Sequence, residues 1–204
     1  MSDTRKEEII MATLKLASQK GLKGVSMSMI AESVGIKKPS LYNHFKSKDE
    51  LVQEMYKFLR EKAGSGLNYS SNQYEKFFEG KSASEILKTL VNNYIKMSSE
   101  KNIEMFYKVV YSERATSPSV AKIMVEETEK MINATINVFK MLEDKGLLKF
   151  INLEISATSF ALAIHSVMDY EADKSFSKTE KVDRDCTFVN KYIENFCKEH
   201  SIEE

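Results

Sequence analysis

Apolar residues recur along this chain at helical spacing from one end to the other. Ile10, Leu14 and Ala17 open the series, and Ile86, Leu90, Val91, Tyr94 and Met97 continue it. A long run follows, with Val120, Met124, Met131, Ile132, Thr135, Val138, Phe139 and Leu142 ahead of Gly146. Two more segments carry Ile155, Thr158, Phe160, Ala163 and Val167, then Phe188, Val189, Tyr192, Ile193 and Phe196. Spacings of three and four put such residues on one helix face, whereas a half-buried strand alternates apolar with polar. Strict alternation is absent. Thr4-x-x-Glu7, Ser47-x-x-Glu50, Ser82-x-x-Glu85 and Ser177-x-x-Glu180 have the form of capping boxes, in which hydroxyl and carboxylate accept from the free amides of a helix start. Ser117 before Pro118 offers a further start, because proline fits the first helical turn. The pattern predicts an all-α chain of about nine helices.

Breakers are few, with two prolines and seven glycines in 204 residues. Three of those glycines fall between Ala63 and Lys81, which reads as the connection between two parts. Tyr69, Tyr74, Phe77 and Phe78 within it argue that the connection packs against something. The expected organisation is a small helical domain over residues 3–62 and a larger helical domain over 63–204.

The helix-turn-helix reading rests on Ser26–Leu51, SMSMIAESVGIKKPSLYNHFKSKDEL. Ser26 or Ser28 can cap a short helix carrying Met27, Ile30, Ala31 and Val34 on one face. Gly35 then turns the chain, since glycine enters the left-handed region without a steric penalty. Ile36 closes the turn against the core, and Leu41 and Phe45 form the buried stripe of a second helix beginning near Lys38 and Pro39. A plain corner between two helices accounts for Ala31, Gly35 and Leu41 equally well. It does not account for an outer face of Lys37, Lys38, Ser40, Asn43, His44 and Lys46, nearly all hydrogen-bond donors.

Charge sharpens the picture. Thirty Lys and Arg balance 30 Asp and Glu, which taken whole argues against a nucleic-acid partner. Residues 1–60 nevertheless hold eleven basic against seven acidic residues, +4, and residues 61–204 carry −4. From Lys20 to Lys48 six lysines face Glu32 alone. That imbalance is the electrostatic footprint of a phosphate contact.

GIKKPSLYNHFKSKDEL closely resembles the signature of the tetracycline-repressor (TetR) family of bacterial transcription regulators. The likeness covers roughly residues 5–60, and the Leu-Tyr-x-x-Phe-x-x-Lys core is specific; beyond it the match is only one of length and helical character. The resemblance implies a three-helix DNA-binding domain of helix-turn-helix type over residues 3–62 and a helical effector-binding and dimerisation domain over 63–204. It further implies a homodimer whose paired recognition helices enter successive major grooves of a palindromic operator, with a small molecule in the body shifting their separation. On that reading Lys38 donates to guanine, Pro39 packs on a thymine methyl, and Ser40 and Asn43 hydrogen-bond base edges. Tyr42, His44, Lys48 and Ser26 are expected at phosphates, beside Lys37 on the same face. Pro39 and Ser40 stand where many relatives carry Gly and Thr, in a stretch that varies across the family.

Most of the eleven Met and eleven Phe lie beyond Ser82. Met97, Met105, Phe106, Tyr107, Met124, Met131, Phe139, Phe160, His165 and Met168 are expected to contact an apolar or amphipathic effector, pliable methionine suiting a pocket that repacks. Singly, each reads first as an ordinary core position; only together do they suggest a pocket. The last two long segments are expected at the dimer interface through Ala157, Phe160, Ala161, Ile164, Phe188, Tyr192 and Phe196, as a four-helix bundle of the kind the resemblance implies.

Other classes find little support. There is no phosphate-binding glycine loop, no HExxH and no nucleophile elbow, so an enzyme is not expected. Cys186 and Cys197 lie eleven apart with no nearby His pair, which fits free thiols and no metal or other cofactor. No apolar run approaches the ~18 residues of a membrane span. MSDTRKEEII has no apolar stretch ahead of its charges, which points to the cytoplasm. The remaining alternative keeps the fold but replaces the small molecule with a protein partner, making the chain a DNA-bound scaffold.

Overall fold

The computed structural model describes residues 2–64, 77–177 and 186–202. Among them are nine α-helices and no strand: α1 (Ser2–Lys20), α2 (Met27–Ser33), α3 (Lys38–His44), α4 (Lys48–Gly64), α5 (Ala83–Ser98), α6 (Lys101–Glu113), α7 (Pro118–Asp144), α8 (Leu153–Ser177) and α9 (Thr187–Glu199). The all-α expectation holds. Tyr69, Tyr74 and Glu180 of the sequence reading lie outside the described residues.

Of the four capping boxes read from the sequence, two open helices and two do not. At α5 the Ser82 box is complete: the Glu85 amide donates to Ser82 Oγ (3.3 Å) and the Ser82 amide to Glu85 Oε2 (2.8 Å). At α4 the Glu50 amide donates to Ser47 Oγ (3.0 Å), while the returning carboxylate takes the Lys46 amide (2.6 Å). Thr4, however, lies inside α1, which already begins at Ser2. Ser177 closes α8 rather than opening a helix, its hydroxyl donating back to the Lys174 carbonyl (2.9 Å). The α8 start is capped by Asn152, whose Oδ1 accepts from the Ile155 amide (3.0 Å). An asparagine with no Glu or Gln three residues on lacks the box signature.

Two compact units divide the chain. The first comprises residues 1–68 and 97–127, the second residues 69–96 and 128–204. The first therefore takes in α6 and the opening half of α7, beyond the residue 62 boundary expected from sequence. Its core gathers Ile9, Leu14, Ile30, Leu41, Phe45 and Met55 with Phe106 and Ile123. The second buries Ile86, Phe139, Leu142, Phe160, Ile193 and Phe196, with Phe78 from the end of the expected linker. Phe139 sits among stacked and edge-on rings, 4.8 Å from the Phe150 centroid and 5.4 Å from those of Phe160 and Phe196.

Candidate nucleic-acid interface

The α2–α3 pair is built by four local devices. Ser26 stands in extended backbone and accepts the Met29 amide at 3.2 Å, which starts α2. Gly35 ends it at φ +67, with its own amide bonded to the Glu32 carbonyl (3.1 Å) and the Ile36 amide to the Ala31 carbonyl (2.9 Å). This double bond pattern requires a left-handed residue at position 35. No atom lies within 4 Å of where a Cβ would sit, so the backbone conformation alone demands glycine. Pro39 occupies the first turn of α3, and the Ser40 and Leu41 amides share the Lys37 carbonyl at 2.9 and 3.2 Å. Phe45 leaves the helix in extended backbone, with its ring buried beside Leu41.

With Leu41 and Phe45 buried, α3 must turn its other residues outward. Lys37, Lys38, Pro39, Ser40, Tyr42 and Asn43 are all exposed, and His44 is half-buried. The structure thus brings seven of the nine sequence-expected contacts onto one short helix and its leading residue. Ser26 is exposed as well, although its hydroxyl oxygen already serves α2. Lys48 differs from the rest. Its ammonium donates to the carbonyls of Leu22 (2.9 Å) and Val25 (3.2 Å), tying the start of α4 to the turn between α1 and α2. Two of three donors are so engaged, leaving one for a phosphate. Sequence reading also missed Glu113, a buried residue at the end of α6 whose Oε1 accepts the Lys23 amide from the same turn at 3.4 Å. Nothing in local spacing signals a contact across 90 positions.

The ten effector candidates divide between the two units. Met97, Met105, Phe106, Tyr107 and Met124 belong to the first unit, where Phe106 and Met124 are core. Met131, Phe139, Phe160, His165 and Met168 belong to the second, where Phe139, Phe160 and Met168 are core.

The expected dimer residues differ in their exposure within the single chain. Ala157, Phe160, Ala161 and Ile164 turn into the interior of their own chain, at 0–4% exposure, and Phe196 is buried too. Helical periodicity cannot say which of two faces meets a partner. Phe188 is exposed at 60%, and Tyr192 is half-buried with its phenol pushed up by burial. The outward face of α8 instead carries Ile155, Ser159, Leu162, Ser166 and Tyr170, all exposed. Their spacing is four, three, four and four.

This geometry has close parallels. The sequence profile described as bacterial regulatory proteins of the tetR family matches residues 9–55, and that of the AefR-like transcriptional repressor C-terminal domain matches residues 85–176. Over 52 residues the chain is 38% identical to the HTH-type transcriptional repressor KstR2 of Mycolicibacterium smegmatis, covering 26% of this chain and 25% of that protein. Over a stretch of equal length it is 44% identical to IcaR of Staphylococcus aureus, the negative regulator of the biofilm operon icaADBC, covering 26% and 28%. The chain thus spans about a quarter of the length of these curated relatives in the matched region. The solved structure of the flavonoid-responsive regulator FrrA superposes with a TM-score of 0.73 at 19% identity, over 99% of this chain and 100% of that one. At that identity the likeness speaks for the fold. No described helix is long and apolar enough to cross a membrane. With one profile on the reading head and another on the body, the chain belongs to the TetR family of bacterial transcription regulators, which are DNA-binding transcription factors and not enzymes.

Proposed function

We propose that this regulator is a cytoplasmic repressor that binds a palindromic operator as a homodimer and is released by a small apolar or amphipathic molecule. The observation that carries the reading is the outward face of α3, donor-rich from Lys37 to Asn43 and seated on a buried Leu41–Phe45 stripe. Such a helix enters a major groove with its first residues at base edges. Lys38 reads guanine, Pro39 meets a thymine methyl, and Ser40 and Asn43 bond bases, while Tyr42, His44, Ser26, Lys37 and the remaining Lys48 donor hold phosphates. Repression is supported by the names of KstR2 and IcaR, both negative regulators matched across the reading head.

The Ile155–Tyr170 face of α8 and Phe188 of α9 support the dimer. They form an exposed apolar stripe with small residues between, suited to a two-fold helix bundle. A small-molecule trigger is supported by the name of the structurally similar FrrA, a flavonoid-responsive protein. The ligand need only prefer the conformation whose reading heads are wrongly spaced for DNA. The test is to sequence fragments that the purified full chain selects from random DNA, then to repeat the selection with candidate ligands. An inverted repeat whose recovery falls with one ligand class is the expected result. Selection of no repeat, or of half-sites alone, would sink it.

A further inference from the structure

The α4 helix, which carries the reading head away from α3, is tied to α7 by a row of polar side chains beside the apolar core that both helices share. Four of its residues do this, at spacings of four, three and four: Asp49, Gln53, Tyr56 and Arg60. Ser119 Oγ donates to Asp49 Oδ1 (3.3 Å), and Gln53 Nε2 donates to the Ser119 carbonyl (2.9 Å). Two turns further along α7, Glu127 is buried at 8% exposure and receives the rest. Tyr56 Oη donates to its Oε1 at 2.7 Å and Arg60 Nε approaches the same oxygen at 3.0 Å, while Tyr107 Oη from α6 donates to Oε2 at 2.6 Å. All of these residues lie in the first unit.

A buried carboxylate with three donors is a weak source of adhesion, because desolvation offsets much of the attraction. Its effect is directional. An apolar face tolerates a small slide, but hydrogen bonds between 2.6 and 3.3 Å at two levels of α7 do not. A shift of α4 along α7 by one turn would unmake the set together. Because α4 begins at Lys48, three residues after Phe45, its placement is also the placement of α3.

We infer that Glu127 is a positioning residue for DNA recognition: by fixing the register of α4 on α7 it sets which separation of operator half-sites the dimer accepts. The inference rests on the homodimer and palindrome proposed above. Its consequence is a division of labour within one protein. Residues of α3 choose the bases, and a carboxylate that touches no DNA chooses their spacing.

The experiment uses the full chain and synthetic operators built from the selected half-sites, at the selected spacing and at one base pair more or fewer. Wild-type protein is expected to prefer its own spacing about tenfold, and Glu127→Gln to narrow that ratio to about twofold, since half-site spacing is a geometric property of the dimer. The slope of affinity against salt should not change, because no phosphate contact is lost. Tyr56→Phe, which removes an arm from α4, should narrow the ratio as well and serves if Glu127→Gln does not fold. Tyr107→Phe removes a phenol bond to the same carboxylate from α6 and should leave the ratio as it was. General loss of folded protein would lower binding to every spacing equally, so the ratio separates positioning from stability. A wild-type ratio retained in folded Glu127→Gln or Tyr56→Phe would overturn the inference, as would equal narrowing by the two tyrosine variants. Failure of wild-type protein to discriminate spacings at all would instead count against the proposed dimeric reader.

Discussion

The two units bury their interiors by different means. Around Phe139 the second unit packs rings against rings, with centroid separations of 4.8 Å to Phe150 and 5.4 Å to Phe160 and Phe196. Around Glu127 the first unit adds to its apolar core a carboxylate receiving two phenols and a guanidinium. Ring packing is strong and weakly directional; buried polar bonding is directional and adds little net strength. The difference teaches that burial in this protein serves two ends. Apolar packing holds each unit together, and in the first a polar cluster also holds a helix in place.

The sharpest way to break that contrast is to remove a ring. Phe139→Ala deletes a side chain of 0% exposure and leaves a cavity among its neighbours. It should cost about 3–5 kcal/mol of stability, read as a fall in the denaturant midpoint. In whatever protein remains folded, the preferred operator spacing should be unchanged. A loss below about 1 kcal/mol would mean that the rings do not carry the unit, since well-packed Phe→Ala changes cost several times that.

A smaller effect is expected at the reading head, where structure and sequence part company over Lys48. Lys48→Ala removes two charge-assisted bonds to carbonyls and should destabilise by about 2 kcal/mol. It should also weaken operator and random DNA alike and reduce the salt slope by about one unit, through the remaining donor. Lys38→Ala should leave stability alone and cost roughly 1–3 kcal/mol on the selected site only. Denaturation and salt titration of both variants separate the roles. If Lys48→Ala left stability untouched, the tie to the α1–α2 turn would be without energetic weight.

The same residues show what could be read in advance. Ser26, Gly35, Pro39, Leu41 and Phe45 act within a few positions of themselves, so capping, turn chemistry and periodicity suffice to place α2, the turn and α3. The Lys48 bonds span 23 and 26 positions, the Glu113 bond 90, and the Tyr56–Glu127 bond 71. No local pattern encodes such distances, and a charged residue inside an amphipathic helix reads as solvated until the neighbouring helix is in place. Exposure on α8 failed for a related reason. Its apolar residues lie on both the Ala157–Ile164 face and the Ile155–Leu162 face, and only the packing of the chain's own helices shows which is left over.

The smallest expected effect concerns where the second unit keeps its polar bonds. Its Ser82 box lies at an exposed helix end, so unlike the Glu127 cluster it should influence stability slightly and DNA spacing not at all. The Glu85 carboxyl is held below the usual glutamate range by the Ser82 amide and then by its hydroxyl. A carboxyl lowered in the folded state stabilises above its unfolded pKa, and that contribution fades as pH falls through the folded value. Ser82→Ala removes the hydroxyl and leaves the amide bond, so it should cost about 1 kcal/mol at neutral pH. The gap between variant and wild type should narrow in acid, because protonated Glu85 no longer gains from the hydroxyl. Denaturant titrations at neutral pH and near pH 3 would show this, provided both proteins remain folded there. A gap unchanged in acid would mean the hydroxyl acts mainly on the Glu85 amide, and the carboxylate half of the box would then be incidental to α5.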